Sequence, residues 1–374
     1  MITIAIDDHI PFIKGVLEPF ANIIYVKGDR IDRNIARDAD GLIIRTRTRC
    51  NAELLDNTRV KFIATATIGY DHIDGEYCNT KGIQWHHAPG CNSSSVNQYI
   101  ASILATLNLK HGISLEGRKI GIVGAGNVGA KIEKLASIFG LIPLVNDPPR
   151  ERIEGPAGFV TLDEILETAD IITFHVPLIL EGIDRTFHMA SSDFFNRLKK
   201  KPVIINSARG EVIDTEAIKE AMIRRNISGI AADVWENEPV PDAQLLEMSL
   251  VATPHIAGYS VEGKANGTAS CVRAAGEFFG FGLKSWYPPL LPPPESPELY
   301  LNTTGKSEEQ LISEAILSCY DVMNDDAALR KDPSTFESLR NFYPVRREFG
   351  AFRLNIENPP STIINKLKLL GFEL

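Results

Sequence analysis

Nowhere in the chain do about 18 apolar residues run uninterrupted, so no helix is expected to span a bilayer. Cysteine is sparse. Cys50, Cys78, Cys91, Cys271 and Cys319 form no CxxC pair and are odd in number, which argues against a disulfide framework and for reduced thiols in a cytoplasm. Positive charge is in deficit: 39 Lys and Arg against 48 Asp and Glu leave −9, the wrong sign for neutralising phosphate backbones or anionic membranes. Nucleic acid and membrane are therefore not expected partners, and an anionic ligand needs a local basic pocket. Residues 1–10 hold no basic region and reach Asp7 and Asp8 before any long apolar stretch, so they do not read as a signal peptide. The histidines, including the His86-His87 pair, lack a spaced set of partners, and no metal is expected.

What is present is ordinary globular material. The 374 residues suggest two to three domains at about 150 residues each. Hydrophobic residues at 44% and charged residues at 23% exclude disorder and coiled coil.

Short apolar runs at 2–6, 42–44 and 62–64 alternate with helical patterns, a βα rhythm that favours a parallel sheet. From Ser94 or Ser95, expected N-caps, Val96, Tyr99, Ile100, Ile103, Leu104 and Leu107 recur at helical spacing. A second series of strand candidates follows at 120–123, 142–145, 171–174, 203–205, 229–232 and 250–252, fitting one doubly wound domain. After a helical stretch over 260–279, the segment 287–297 holds Pro288, Pro289, Pro292, Pro293, Pro294 and Pro297, which predicts a semi-rigid linker. Beyond it, helical spacing at Leu311, Ile312, Ala315, Ile316 and Cys319, a strand pattern over 352–356 and helical spacing over 362–370 predict a small αβ domain. Its core would be marginal alone, which points to docking or dimerisation.

Directly after the strand at 120–123, Gly124, Gly126 and Gly129 stand in G-x-G-x-x-G spacing, with Asn127 and Val128 between them and a helical pattern behind. The bare spacing is a weak signal, and its context carries the inference. The first glycine permits a tight turn, the second lets backbone approach a pyrophosphate, the third allows close helix packing, and the helix N-terminus offers N–H groups to the anion. The next strand ends at Asp147, an acid placed to accept from an adenosine ribose and to repel a 2′-phosphate, so NAD is expected over NADP.

Three later strands run into Arg209, Glu238 and His255. Singly, each is explained by a surface ion pair, a solvated acid or a satisfied histidine. Behind a nucleotide motif they suit hydride transfer from a hydroxy acid. Arg209 can hold a carboxylate and polarise the nascent carbonyl, His255 can take the hydroxyl proton, and Glu238 can orient the ring.

On the glycine motif together with Asn206-Ser-Ala-Arg-Gly210, Asp233-Val-Trp-Glu-Asn-Glu-Pro239 and Thr253-Pro-His-Ile-Ala-Gly258, the chain resembles the D-2-hydroxyacid dehydrogenase family. Within it, Ala64-Thr-Ala-Thr-Ile-Gly-Tyr-Asp-His-Ile-Asp74, Ala88-Pro-Gly-Cys-Asn92, Asn146-Asp-Pro-Pro-Arg150, His255-Ile-Ala-Gly-Tyr259 and Glu262-Gly-Lys-Ala-Asn-Gly-Thr268 are similar to a branch acting on a phosphorylated four-carbon acid. The tail, with Tyr320-Asp-Val-Met-Asn-Asp-Asp-Ala-Ala-Leu-Arg-Lys331 and Arg346-Arg347-Glu348, resembles that branch's dimerisation domain.

The resemblance implies an α/β fold class. A doubly wound Rossmann-type NAD domain spans 94–256, a second flavodoxin-like α/β substrate domain joins 1–93 with 257–286, and a small C-terminal α/β dimerisation domain fills 287–374. It implies oxidation of 4-phospho-D-erythronate to 2-oxo-3-hydroxy-4-phosphobutanoate with NAD, on the way to pyridoxal phosphate, by a cytoplasmic homodimer. Arg209, Glu238 and His255 are then catalytic. Asp147, Asp233 and Gly258 touch NAD, as do Asn127, Val128 and Val176. Thr46, Thr67 and Tyr259 touch substrate. Thr46 stands where Ser is common, Val176 where Thr is frequent and Gln98 where an acid is usual.

Arg45, Arg47 and Arg49 follow a strand candidate, and Arg45 is the expected phosphate ligand. Arg346 or Arg347 is a further candidate, reaching the phosphate across a dimer interface. Two other functions stay open: a dehydrogenase of another 2-hydroxy acid such as phosphoglycerate, and an NAD-responsive scaffold.

Overall fold

The computed structural model describes residues 1–357 and 359–374. The chain divides into two compact units, Met1–Asn92 with Ser260–Pro292 and Ser93–Tyr259 with Pro293–Leu374. Among the described residues no helix is long and apolar enough to cross a membrane.

The first unit is built on a parallel sheet of β1 (Thr3–Asp7), β2 (Asn22–Val26), β3 (Gly41–Ile44), β4 (Phe62–Thr65) and β5 (Gln84–His86). Its order β2-β1-β3-β4-β5 is the flavodoxin-like arrangement, with the switch point between β1 and β3. β3 and β4 are buried at every residue, as expected of apolar runs covered on both faces. One cover is the helix Val261–Phe279, capped at its start by Ser260, which accepts from Gly263 N–H. Phe62 stacks on Phe278 with ring centroids 5.0 Å apart, and a side chain at Gly267 would stand 2.6 Å from the Ala66 carbonyl oxygen. These contacts fix the return segment to this unit.

The second unit carries β6 (Lys119–Val123), β7 (Ile142–Asn146), β8 (Ile171–Phe174), β9 (Val203–Asn206), β10 (Gly229–Ala232) and β11 (Val251–Ala252). They are parallel in the order β11-β10-β9-β8-β6-β7, which reverses at β6. A reversal opens a crevice at the carboxyl ends of β6 and β8.

The helix Ser93–Leu109 is buried around most of its circumference. Ser94 and Ser95 lie inside this helix and do not cap it. Ser94 Oγ accepts from Lys131 Nζ at 3.0 Å, and Ser95 Oγ donates to Glu348 at 3.1 Å. Long-range partners displaced the capping role that local sequence suggests.

The tail completes the core of this unit. Leu311, Ile312, Ala315 and Ile316 from the helix Glu308–Cys319 pack in one cluster with Ile100, Leu104 and Leu107. Ser102 Oγ donates to Tyr320 O at 2.8 Å and accepts from Val322 N–H at 2.9 Å. In the helix Val322–Lys331, Asp326 accepts the Ala252 N–H at 2.7 Å, closing the open side of edge strand β11. A parallel pair, β12 (Glu298–Leu301) and β13 (Arg353–Ile356), ends the fold.

Arg346 is 5% exposed and donates to the carbonyl oxygens of Ser95, Ile256 and Ala257, with its guanidinium 4.5 Å from the Tyr320 ring centroid. This corrects the expectation that Arg346 reaches a phosphate across a dimer interface. The side chain is enclosed in its own chain. Gln98, at the position where an acid is usual, is also enclosed and donates to Arg347 O at 2.9 Å.

Candidate active site

The turn from β6 into the helix Gly129–Ile138 holds three glycines in different steric settings. Gly124 takes φ +93°, and a Cβ there would stand 2.7 Å from the His175 carbonyl oxygen. At Gly129 a Cβ would stand 2.0 Å from Gly124 O, so helix and turn touch backbone to backbone. Gly126 is the opposite case, because a Cβ there would meet nothing within 4 Å. Open space before an exposed glycine, at a helix start that no side chain caps, suits an anionic ligand and fits a dinucleotide pyrophosphate.

Asp147, directly after β7, accepts Ala125 N–H at 2.8 Å through one oxygen and Arg150 N–H at 3.1 Å through the other. It therefore fixes the glycine turn before any ligand arrives, and each oxygen keeps a second acceptor direction for a ribose. Arg150 is engaged with Glu154 at 2.7 Å and with the Ala125 carbonyl at 2.6 Å. Val176 packs on the turn, its Cγ1 2.9 Å from where a Gly124 side chain would begin. Burial pushes the neighbouring His175 down to about 3, so this ring stays neutral and offers no proton near pH 7.

The candidate catalytic residues leave the carboxyl ends of three adjacent strands, β9, β10 and β11. After β9, Asn206 Nδ2 donates to Arg209 O at 2.9 Å and its Oδ1 accepts Ala208 N–H at 3.0 Å, so one amide shapes the loop that presents Arg209. Arg209 Nη1 donates to Ala208 O at 2.8 Å. The following residue must be glycine, since a Cβ at Gly210 would overlap the Trp235 carbonyl carbon at 2.0 Å.

After β10, the buried Asp233 organises the loop beyond β11. Its carboxylate accepts Thr253 Oγ1–H at 2.6 Å, Ile256 N–H at 2.8 Å and Ala257 N–H at 2.9 Å, while its carbonyl takes His255 N–H at 2.7 Å. Held in this way, His255 adopts φ +56°, a left-handed conformation that only the surrounding bonds can enforce on a non-glycine residue.

Its Nδ1 then lies 2.7 Å from Glu238 Oε2, and Glu238 Oε1 accepts Trp235 N–H at 3.1 Å. Burial pushes the Glu238 carboxyl up. The charge and hydrogen bond of His255, the Trp235 amide and the charge of Arg340 outweigh that and hold it below its ordinary value. An ionised Glu238 can only accept, so Nδ1 carries the shared proton and Nε2 is the acceptor nitrogen of the ring.

Sequence reading missed Tyr99, whose hydroxyl meets Thr253 Oγ1 at 2.7 Å, and the role of Asp233 as a loop organiser. Tyr259, after Gly258, meets Tyr343 of the tail edge to face at 5.7 Å.

The first unit holds the other expected residues. Arg45 Nε is 3.0 Å from the fully buried Asp7, so its charge is already engaged across the β1–β3 switch point. Sequence reading missed the part played by Asp7, which ends β1. Thr46 is exposed, and Thr67 Oγ1 donates to Gly69 O at 2.8 Å.

Curated proteins named erythronate-4-phosphate dehydrogenase align along almost the whole chain. The one from Bacteroides thetaiotaomicron is 48% identical, covering 94% of this chain and 98% of that protein; one from Pseudomonas fluorescens is 37% identical, covering 98% of each. The chain belongs to the erythronate-4-phosphate dehydrogenase family. Residues 95–257 match the family described as D-isomer specific 2-hydroxyacid dehydrogenase, NAD binding domain, and residues 290–371 match a domain of unknown function.

Among solved structures, D-lactate dehydrogenase from Aquifex aeolicus, complexed with NAD and lactic acid, is 26% identical with a TM-score of 0.64, covering 75% of this chain and 96% of that one. A 3-phosphoglycerate dehydrogenase from Entamoeba histolytica with bound NAD has a TM-score of 0.63 at 24% identity, covering 76% of this chain and 97% of that one, a likeness of fold alone. The alignments with erythronate-4-phosphate dehydrogenases cover 94% and 98% of this chain, so they extend into the tail as well as the NAD-binding region.

The two kinds of glycine are separable by experiment. Gly126→Ala should leave the melting temperature within about 2 °C of wild type yet weaken NAD at least about tenfold, whereas Gly129→Ala should lower both stability and affinity. Thermal melts and fluorescence titration with NADH check this. Unimpaired binding in Gly126→Ala would place the pyrophosphate elsewhere.

Proposed function

We propose that the chain oxidises the C2 hydroxyl of 4-phospho-D-erythronate to give 2-oxo-3-hydroxy-4-phosphobutanoate, a step towards pyridoxal phosphate. The observation that carries this reading is the His255–Glu238 pair at 2.7 Å, on a loop beside the one that presents Arg209. When bound, NAD supplies the acceptor for the hydride that leaves C2.

The residues of the chain do the rest. His255 Nε2 takes the hydroxyl proton as the C2–H bond breaks, and Glu238 keeps the ring oriented and balances the charge it gains. Arg209 holds the substrate carboxylate with two parallel N–H groups and polarises the new carbonyl. Gly124, Gly126, Asn127, Val128 and Gly129 cradle the pyrophosphate, Asp147 holds the ribose, and Val176, Asp233 and Gly258 border the cofactor. Asp147 also disfavours a 2′-phosphate, which supports NAD over NADP. Thr46, Thr67 and Tyr259 are the substrate contacts that the family likeness assigns.

Arg45, expected to bind phosphate, is less suited to it because Asp7 already neutralises it.

The working form is a homodimer joined through residues 287–374, a reading supported by Tyr300, Phe342, Val345 and Leu369, which stand exposed on the tail. Sedimentation should give twice the mass of the 41.2 kDa chain, and Phe342→Asp should shift it toward monomer; a monomeric wild type would contradict this.

Absorbance at the NADH band with 4-phospho-D-erythronate should show turnover in wild type. His255→Asn should lower it by roughly 10² to 10⁴ with little change in NADH affinity. Near-normal turnover in that variant would move the proton to another group.

A further inference from the structure

The tail brings a second guanidinium to the neighbourhood of the catalytic pair. Arg340 lies in the short helix Phe336–Asn341, with 16% of its side chain exposed. Its guanidinium stands 5.8 Å from the Tyr259 ring centroid and 5.8 Å from that of Phe336, and its charge reaches Glu238. It is thus placed beside two residues of the site, one of which holds His255.

What distinguishes Arg340 is how little it binds. Among the described residues its side chain makes no hydrogen bond. Its Nε is buried without an acceptor, and its contact with Glu337 Oε1 is 3.8 Å, too long for one. Arg346 also has a buried Nε without a partner, but its terminal nitrogens and those of Arg330 are committed. Arg346 serves the Ser95, Ile256 and Ala257 carbonyls, and Arg330 serves Asp326 and the carbonyls of Leu246 and Ser249. A guanidinium kept mostly from water with its donors uncommitted is costly unless an anion completes it.

The substrate of the proposed reaction has two anionic ends. Arg209 engages the carboxylate at C1 and His255 the hydroxyl at C2, so neither of them holds the phosphate on C4. Resting on that reading, we propose that Arg340, supplied by the tail of the same chain, holds the substrate phosphate and so sets the preference for a phosphorylated acid. A planar guanidinium offers parallel N–H groups to two phosphate oxygens, and the Tyr259 ring beside it fixes its approach.

The test compares 4-phospho-D-erythronate with D-erythronate in wild type, R340Q and R340K. Dissociation constants are read against NADH-saturated protein and kcat/KM from NADH formation. R340Q should weaken the phosphorylated acid about 30- to 100-fold and D-erythronate less than about threefold, while R340K, which keeps the charge but not the fork, falls between. Unchanged NADH affinity reports an intact fold, and if R340Q does not fold, the R340K ratio decides.

An equal fall for both acids would make Arg340 a positioning residue acting through Glu238 or Tyr259 and overturn the assignment, as would no fall at all. Wild type that forms no NADH from 4-phospho-D-erythronate would refute the proposed reaction. The two dissociation constants would still decide the phosphate site.

Discussion

One buried carboxylate sets the geometry on which the candidate catalytic residues depend. Asp233 is 1% exposed, and an ionised group so placed is tolerated only when its oxygens are satisfied. The Thr253 hydroxyl and the Ile256 and Ala257 amides satisfy them, and all three belong to the loop that carries His255. The same bonds hold His255 in a left-handed backbone conformation that costs on the order of 1–2 kcal/mol, and so aim its ring at Glu238. Tyr99 extends the network into the helix Ser93–Leu109. The acid that looks like a cofactor contact in the sequence is the frame of the loop that carries His255.

The tail takes part in the same construction. Its Arg346 accepts no water-filled setting but closes on Ser95, Ile256 and Ala257, the last two being the residues that Asp233 also holds. Asp326 covers the edge of β11, the strand that feeds the His255 loop. Tyr343 braces Tyr259. Residues 293–374 therefore share a core with the nucleotide-binding sheet, and a change in the tail is expected to be felt at the site through these contacts.

Much of this was legible in the sequence where the cause is local. Apolar runs marked β1, β3, β4 and all six strands of the second sheet, and glycine spacing with its flanking strand and helix marked the cradle. The placement of Arg209, Glu238 and His255 beyond adjacent strands was legible because strand ends in a doubly wound sheet present their residues at one edge. What stayed hidden depends on partners far along the chain. The Asp7–Arg45 pair spans 38 residues, and Arg346 meets carbonyls about 90 and 251 positions away. Ser94 and Ser95 carry a capping signature that their neighbours in space override. β2, β5 and β12 are short or poorly buried, too weak in pattern to stand out from the loops around them.

The most direct measurement of this account is kcat/KM for NADH formation in Asp233→Asn, with the fold followed by circular dichroism. An asparagine keeps the shape but replaces one acceptor oxygen with a donor facing the Ala257 amide. The account predicts a loss of about 10²-fold or more in a folded protein, because the His255 loop loses its frame. Activity within about threefold of wild type would contradict the claim that this carboxylate builds the site.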